Sequence, residues 1–120
     1  MIISATLDAR DSMTEVRLTK VNMKQGQKQR WLDWCEEMKR RSSEVLETLK
    51  NEGMISESCF LSEEENAIYY FMESEDFKKS FDAYRSSTFP IDKEHQAIQE
   101  ATLDFGNSKE LRVLFNFHSS

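Results

Sequence analysis

The stretch from Gln27 to Asn51, QKQRWLDWCEEMKRRSSEVLETLKN, decides how the rest of the chain is read. Trp31, Trp34, Cys35, Met38, Val45, Leu46 and Leu49 recur at spacings of three and four, with Ser42 filling the remaining slot. That spacing is the apolar stripe of an amphipathic helix. Between these positions lie Lys28, Arg30, Asp33, Glu36, Glu37, Lys39, Arg40, Arg41, Glu44, Glu47 and Lys50, a solvated face. Glu36 with Arg40 and Glu37 with Arg41 are acid-before-base pairs four apart, each contributing ~0.3 kcal/mol. Gly26 marks the start, and Gly53 stands just past Asn51-Glu52, where a left-handed residue closes a helix. A single helix over this stretch is about 37 Å long. With one apolar face, it predicts a sheet to lie across.

The residues around the helix supply that sheet. Glu15 to Met23 reads as a first strand, with Val16, Leu18, Val21 and Met23 among Arg17, Thr19 and Lys20. Its alternation slips between Leu18 and Val21, which predicts either a bulge or two partly buried faces. Met54 to Leu61 is a second strand and Ala67 to Met72 a third, joined through the polar turn Ser62-Glu63-Glu64-Glu65-Asn66 as a hairpin. The third strand is apolar on both faces, Ile68 and Met72 on one, Tyr69 and Phe71 on the other, as at the centre of a covered sheet. Ser74-Glu75-Asp76 caps a helix to about Arg85 with Phe77, Phe81 and Tyr84 as its stripe. Ser86 to Pro90 breaks it. Asp92 is then a cap for a further helix through Leu103, which Gly106-Asn107 ends, with Ala97, Ile98 and Ala101 facing inward and His95 a further candidate for that face. Lys109 to Phe117 reads as the last strand.

The order is β-α-β-β-α-(α)-β, an α+β fold of the ferredoxin-like type with an extra helix before the last strand and a four-stranded antiparallel sheet. Residues 1–14 read as an N-terminal extension, with Met13 a second possible start, and residues 15–118 as a single domain. The helices pack on one sheet face. The other face, carrying Leu114, one side of the third strand and part of the first, is too apolar for water. A homodimer pressing two such faces together covers it.

Composition narrows the function classes. The 120 residues carry 38% hydrophobic and 32% charged side chains, enough for a core without disulfides or metal. A net charge of −6 argues against nucleic acid or an anionic membrane as partner, because phosphate binding needs a basic footprint. Cys35 and Cys59 form no CxxC and no metal spacing with His95 and His118, so the reading is free thiols, no metal and no cofactor. No apolar run reaches the roughly 18 residues of a membrane span, and the expected compartment is the cytoplasm.

The span Gly26…Trp31…Leu49-Lys50-x-x-Gly53, followed by a hairpin with Tyr69-Tyr70-Phe71, resembles the dimeric α+β barrel superfamily. That superfamily includes antibiotic-biosynthesis-type monooxygenases, haem-degrading enzymes and L-rhamnose mutarotases. The layout is similar to the mutarotases, and more so to a small bacterial family of the same fold without assigned activity. The resemblance implies the fold and a homodimer. Mutarotases place a histidine and a tyrosine on the first helix, whereas this helix offers only Trp31 and Trp34. Haem-degrading members use a histidine and an Asn-Trp pair, to which neither His95 nor His118 aligns. Neither catalytic set carries over.

The site candidates therefore come from the residues themselves. His95 is read either as a capping or packing residue or as an acid–base group, and Tyr69 is the other candidate proton carrier. Glu57, Arg112 and Asn116, with Thr19 and Tyr69, are the polar members of the covered face. They line a ligand cavity or, for Glu57 with Arg112, form a structural pair. A one-residue slip in strand phase would move each of them to the opposite face. Trp31 is core, or the aromatic wall of a ligand site. Three functions follow: a small-molecule-binding homodimer; a cofactor-independent oxygenase or mutarotase-like enzyme; or a purely structural module with a dry interface.

Overall fold

The computed structural model describes residues 14–119. In chain order they form β1 (Glu15–Met23), α1 (Lys28–Arg40), α2 (Ser42–Glu52), β2 (Met54–Ser62), β3 (Ala67–Ser74), α3 (Phe77–Arg85), α4 (Pro90–Thr102) and β4 (Leu103–Leu111). The expectations for the first twelve residues lie outside the described residues. The four strands make one antiparallel sheet in the order β2-β3-β1-β4, the ferredoxin-like topology with α4 as the added helix.

Register assigns the two faces. On β3, Ile68, Tyr70 and Met72 stand opposite Val21, Thr19 and Arg17 of β1 and Leu61, Cys59 and Glu57 of β2. This is the helix side, where Val21, Ile68, Trp31, Met23, Ile91 and Leu103 form the buried core. Tyr69 and Phe71 share the other side with Lys20 and Leu18 of β1 and with Phe60 and Ser58 of β2. Arg17 spreads its guanidinium over the stacked rings of Phe77 and Phe81, 4.7 and 5.2 Å from their centroids. It therefore packs α3 onto the sheet as much through its stem and plane as through its charge.

The expected long helix is two helices. Arg41 departs from helical geometry at φ −106°, ψ 35°, and its N–H is shared between the carbonyls of Glu37 and Met38. The stripe is polar at the following residue, Ser42, so no apolar side chain holds the helix straight there. The Arg41 guanidinium ties the bend to α4 through Glu94 at 2.7 Å and to its own helix through Glu44 at 2.9 Å. Because the axis changes there, α2 presents Val45, Thr48, Leu49 and Glu52 inward, while Leu46 is left 64% exposed. Gly53 closes α2 at φ 70°, as its position predicted.

A chain of hydroxyls joins that corner to α3. Ser80 Oγ donates to the Glu52 carbonyl at 2.7 Å, which leaves Ser74 Oγ to donate to Ser80 at 2.7 Å and to accept the Asp76 N–H. Asp76 caps α3 through the Lys79 N–H. The expected cap of α4 is different: Phe89 precedes the helix, Pro90 opens it, and Asp92 is buried within its first turn. Ala97, expected inward, is exposed; Ile91, His95, Ile98 and Thr102 form the true stripe.

The last strand also differs. It starts at Leu103, directly after α4, and Gly106-Asn107 lies inside it rather than ending a helix. Only Val21 separates Lys20 from Asn22 on β1, but Phe105 to Ser108 separate their partners Asp104 and Lys109. The extra residues form a bulge, and Gly106 and Asn107 suit its bends. Beyond Leu111 the chain has no ladder partner among the described residues. Residues 112–119 form an exposed arm, not the expected strand, with Phe115 and Phe117 stacked at 5.0 Å. The arm returns to the sheet at His118, whose Nε2 lies 3.2 Å from Glu73 of β3.

Candidate functional site

Between the sheet and the helices lies a cavity of about 870 Å³, open on one side. Its apolar wall includes Met38, Val45, Leu49, Met72 and Phe81, and its polar groups are Glu52, Glu57, Tyr70, Tyr84, Asp92, His95 and Gln99. Leu46 and Phe60, both exposed, border it with Lys39, the only lysine or arginine among the described residues that line it. Apolar walls with a few convergent polar groups are the usual form of a small-molecule site.

His95 is the centre of the polar cluster. It projects from the inward stripe of α4 into a cage of Trp31 and Trp34 (both centroids at 6.0 Å) and Tyr84 at 6.1 Å. The indole N–H of Trp34 donates to His95 Nδ1 at 2.7 Å. An indole has no acceptor, so Nδ1 carries no proton and the neutral ring bears its hydrogen on Nε2. Nε2 faces the Tyr70 hydroxyl at 3.3 Å, and that hydroxyl favours the ionised form of Glu57. The direction of the chain from Trp34 to His95 to Tyr70 is set by its first member. Burial pushes the imidazole pKa down to about 4, against a smaller upward pull from Asp92. His95 is thus a neutral hydrogen-bond donor rather than a ready base.

The carboxyls behave in the opposite way. Burial, followed by the charge of Asp92, pushes Glu57 up to about 7, even though the Tyr70 hydroxyl favours its ionised form. Burial, then Glu57 and Asp92, push Glu52 up to about 7 as well. Asp92 is buried and accepts from Thr48 Oγ1 and Ser87 Oγ, each at 2.5 Å. Thr48 also contacts Glu52 at 3.1 Å. Tyr70 is held well above its ordinary value by burial and then by Glu57. Tyr84 is raised by burial first, and its hydroxyl donates to Gln99 at 2.9 Å.

Both cysteines are free. Cys35 is half-buried on α1, where burial pushes its thiol up to about 11. Cys59 is exposed as a residue on edge strand β2. Its thiol nonetheless turns to the cavity, where burial pushes it up to about 12 against a hydrogen bond from Trp31. Neither thiol is a nucleophile at neutral pH.

The residues anticipated from sequence fall into two groups. Glu57 and His95 line the cavity, and Trp31, fully buried, backs it behind Tyr70 and His95. Tyr69 lies on the opposite sheet face, where its hydroxyl donates to Glu65 at 2.7 Å. Arg112 and Asn116 stand in the exposed arm, so the fold does not bring them to Glu57. Thr19 shares the helix-side face with Tyr70. Sequence reading missed Tyr70, Glu52, Asp92, Thr48 and Ser87. Two spacings carried the signal: Ile91-His95-Ile98-Thr102 at four, three and four, and Thr48-Glu52 four apart on α2.

An L-rhamnose mutarotase from Formosa agariphila has a similar structure, with a TM-score of 0.61 and 20% sequence identity over 87% of this chain and 99% of that one. At that identity the likeness is one of fold. No curated protein matches the chain. A family model covers residues 14–119, nearly the whole chain, and the protein belongs to the family it defines, described as a family of unknown function (DUF6176).

Proposed function

We propose that the domain from Glu15 to His118 is a small-molecule-binding homodimer of the cytoplasm, with its ligand in the cavity between sheet and helices. The cavity itself carries this reading: about 870 Å³ of apolar space onto which His95, Tyr70, Glu57 and Gln99 converge. It opens on one side, so a ligand can enter it from solvent. The lining favours a neutral molecule with hydroxyl groups. Three carboxyl groups and no cation deeper than Lys39 disfavour an anion, while phenol, imidazole and amide groups offer both donors and acceptors. The dimer rests on the outer sheet face and the arm, where Phe60, Leu111, Val113, Leu114, Phe115 and Phe117 are each at least 41% exposed. Thermal-shift titration with a panel of neutral polyhydroxylated metabolites tests the ligand reading. A saturable rise in Tm for wild type, reduced in Tyr70→Phe, is the expected result; no shift with any member would remove its support.

The second reading is an enzyme that moves protons without a cofactor, in the manner of a sugar mutarotase. The His95–Tyr70–Glu57 chain favours it, since a carboxyl with a pKa near neutrality is suited to general acid–base work. Exchange between anomers of reducing sugars, followed by magnetization-transfer NMR, tests it. Catalysed exchange should fall about a hundredfold in Glu57→Gln, and unchanged exchange in that variant would overturn the assignment.

A further inference from the structure

The hydrogen bonds around Thr48 cannot all form with the hydrogens that the hydroxyls supply. Glu52, Thr48, Asp92 and Ser87 are linked by three contacts: Thr48 to Glu52 at 3.1 Å, Thr48 to Asp92 at 2.5 Å and Ser87 to Asp92 at 2.5 Å. Thr48 and Ser87 bring one hydroxyl hydrogen each. The third link needs a proton on a carboxyl. Asp92 Oδ2 already receives Ser87 and is the acceptor of the short Thr48 bond. A hydroxyl oxygen of a neutral acid accepts poorly, so Oδ2 is the wrong place for the extra proton. Placed on Glu52 Oε2 instead, it donates to Thr48, Thr48 donates to Asp92, and every contact is satisfied.

The other side of the cavity reaches the opposite result by the same kind of count. Trp34 can only donate, so His95 donates to Tyr70, and the Tyr70 hydroxyl hydrogen is left to favour the ionised form of Glu57. Glu57 is left as an acceptor. Both glutamates line one cavity, and each disfavours ionisation of the other across it.

We propose that the empty cavity holds an acid–base pair at neutral pH, with Glu52 the neutral carboxylic acid and Glu57 the carboxylate, placed to act on one bound neutral hydroxylated molecule. In the forward step the Glu52 hydroxyl turns from Thr48 to an acceptor oxygen of that molecule and passes its proton there. A hydroxyl hydrogen of the same molecule passes to a Glu57 oxygen. One proton is lost and one gained on each side, so net charge is unchanged, and the reverse transfers restore the pair. The titratable and charged groups that line the cavity with Glu52 are Glu57 from β2, Tyr70 from β3, Tyr84 from α3, and Asp92 and His95 from α4, with Lys39 of α1 at the border; Glu57 and Asp92 are the charges that hold its proton on. This assignment rests on the cavity being a ligand site, but the position of the proton is a property of the ligand-free protein and is measured without a ligand.

The experiment is a pH titration of ligand-free protein carrying 13C at the glutamate side-chain carboxyl, followed by NMR, for wild type, Glu52→Gln and Glu57→Gln. The Glu52→Gln amide can still donate to Thr48, so that variant keeps the link. Two glutamate midpoints should lie above the ordinary glutamate value, and the higher should be missing from Glu52→Gln. In Glu57→Gln that higher midpoint should survive, lower by about one pH unit once the neighbouring charge is gone. A higher midpoint that persists in Glu52→Gln and vanishes in Glu57→Gln would reverse the roles. Full ionisation of both glutamates at about pH 6 would overturn the pair, and either result would leave the thermal-shift test of ligand binding standing.

Discussion

Trp34 shows how one donor can fix the chemistry of a pocket. Its indole N–H occupies His95 Nδ1, so the imidazole is uncharged for two reasons, burial and a donor where a second proton would sit. Trp34→Phe keeps the ring and frees that nitrogen. We expect the His95 pKa to climb from about 4 toward the ordinary range in a histidine NMR titration, at a stability loss of ~1 kcal/mol. A titration unchanged from wild type would mean that burial alone sets it. The titrating residues also shape stability against pH. His95 binds its proton more weakly when folded, so between about 4 and its ordinary value of 6.5 its contribution to stability rises with pH. Glu52 and Glu57 bind theirs more strongly when folded. Their contribution is complete below the ordinary value of 4.5 and is lost as pH rises through about 7. The two effects oppose each other from about 4.5 to 6.5, and above that window only the loss remains. Glu52→Gln should therefore gain on wild type by ~1–2 kcal/mol between pH ~5 and pH ~8 in denaturant titrations. Parallel curves would contradict the raised carboxyl.

At the scale of elements, the closing residue of α2 gives the cleanest test. Gly53 adopts φ 70°, and a Cβ there would meet only Glu75 Oε1 at an ordinary 3.9 Å. The cost of Gly53→Ala is then conformational rather than steric, and we expect ~1 kcal/mol of lost stability by chemical denaturation. This glycine was legible in the sequence, as were the hairpin, the two-faced β3 and the Asp76 cap. The bend at Arg41 was not, because no glycine or proline marks it and the stripe passes through Ser42 without obvious interruption. The start of β4 was hidden for a related reason. Leu103 continues the apolar pattern of α4, while Gly106-Asn107 reads as a helix end in a sequence and serves as a bulge in the fold. Reading the cavity required the strand phase, which a period of two leaves open until hydrogen-bond register settles it. Glu57 and Tyr70 come to the helix side only once β2 and β3 are in register.

For the whole molecule, one face of the sheet holds the cavity and the other, among the described residues, holds exposed apolar surface. Phe60 at 59%, Phe115 at 72% and Phe117 at 67% exposure are large side chains to leave in water. Size exclusion with light scattering should give a mass near twice the 14.1 kDa of the chain. Phe117→Asp combined with Phe60→Asp should weaken that association at least tenfold, since burying each carboxylate carries a penalty of several kcal/mol. A monomer in wild type would remove the dimer from the account. The cavity can be tested separately, because Glu57, Tyr70 and His95 lie on its helix side, while Phe60 borders both surfaces. The most direct measurement is amide chemical-shift mapping of 15N-labelled protein against the panel of neutral polyhydroxylated molecules. Saturable perturbations centred on Cys35, Glu57, Tyr70 and His95, with Phe71 and Leu18 unmoved, are the expected result. Perturbations confined to the outer sheet face and the arm, or none at all, would contradict a ligand site between sheet and helices.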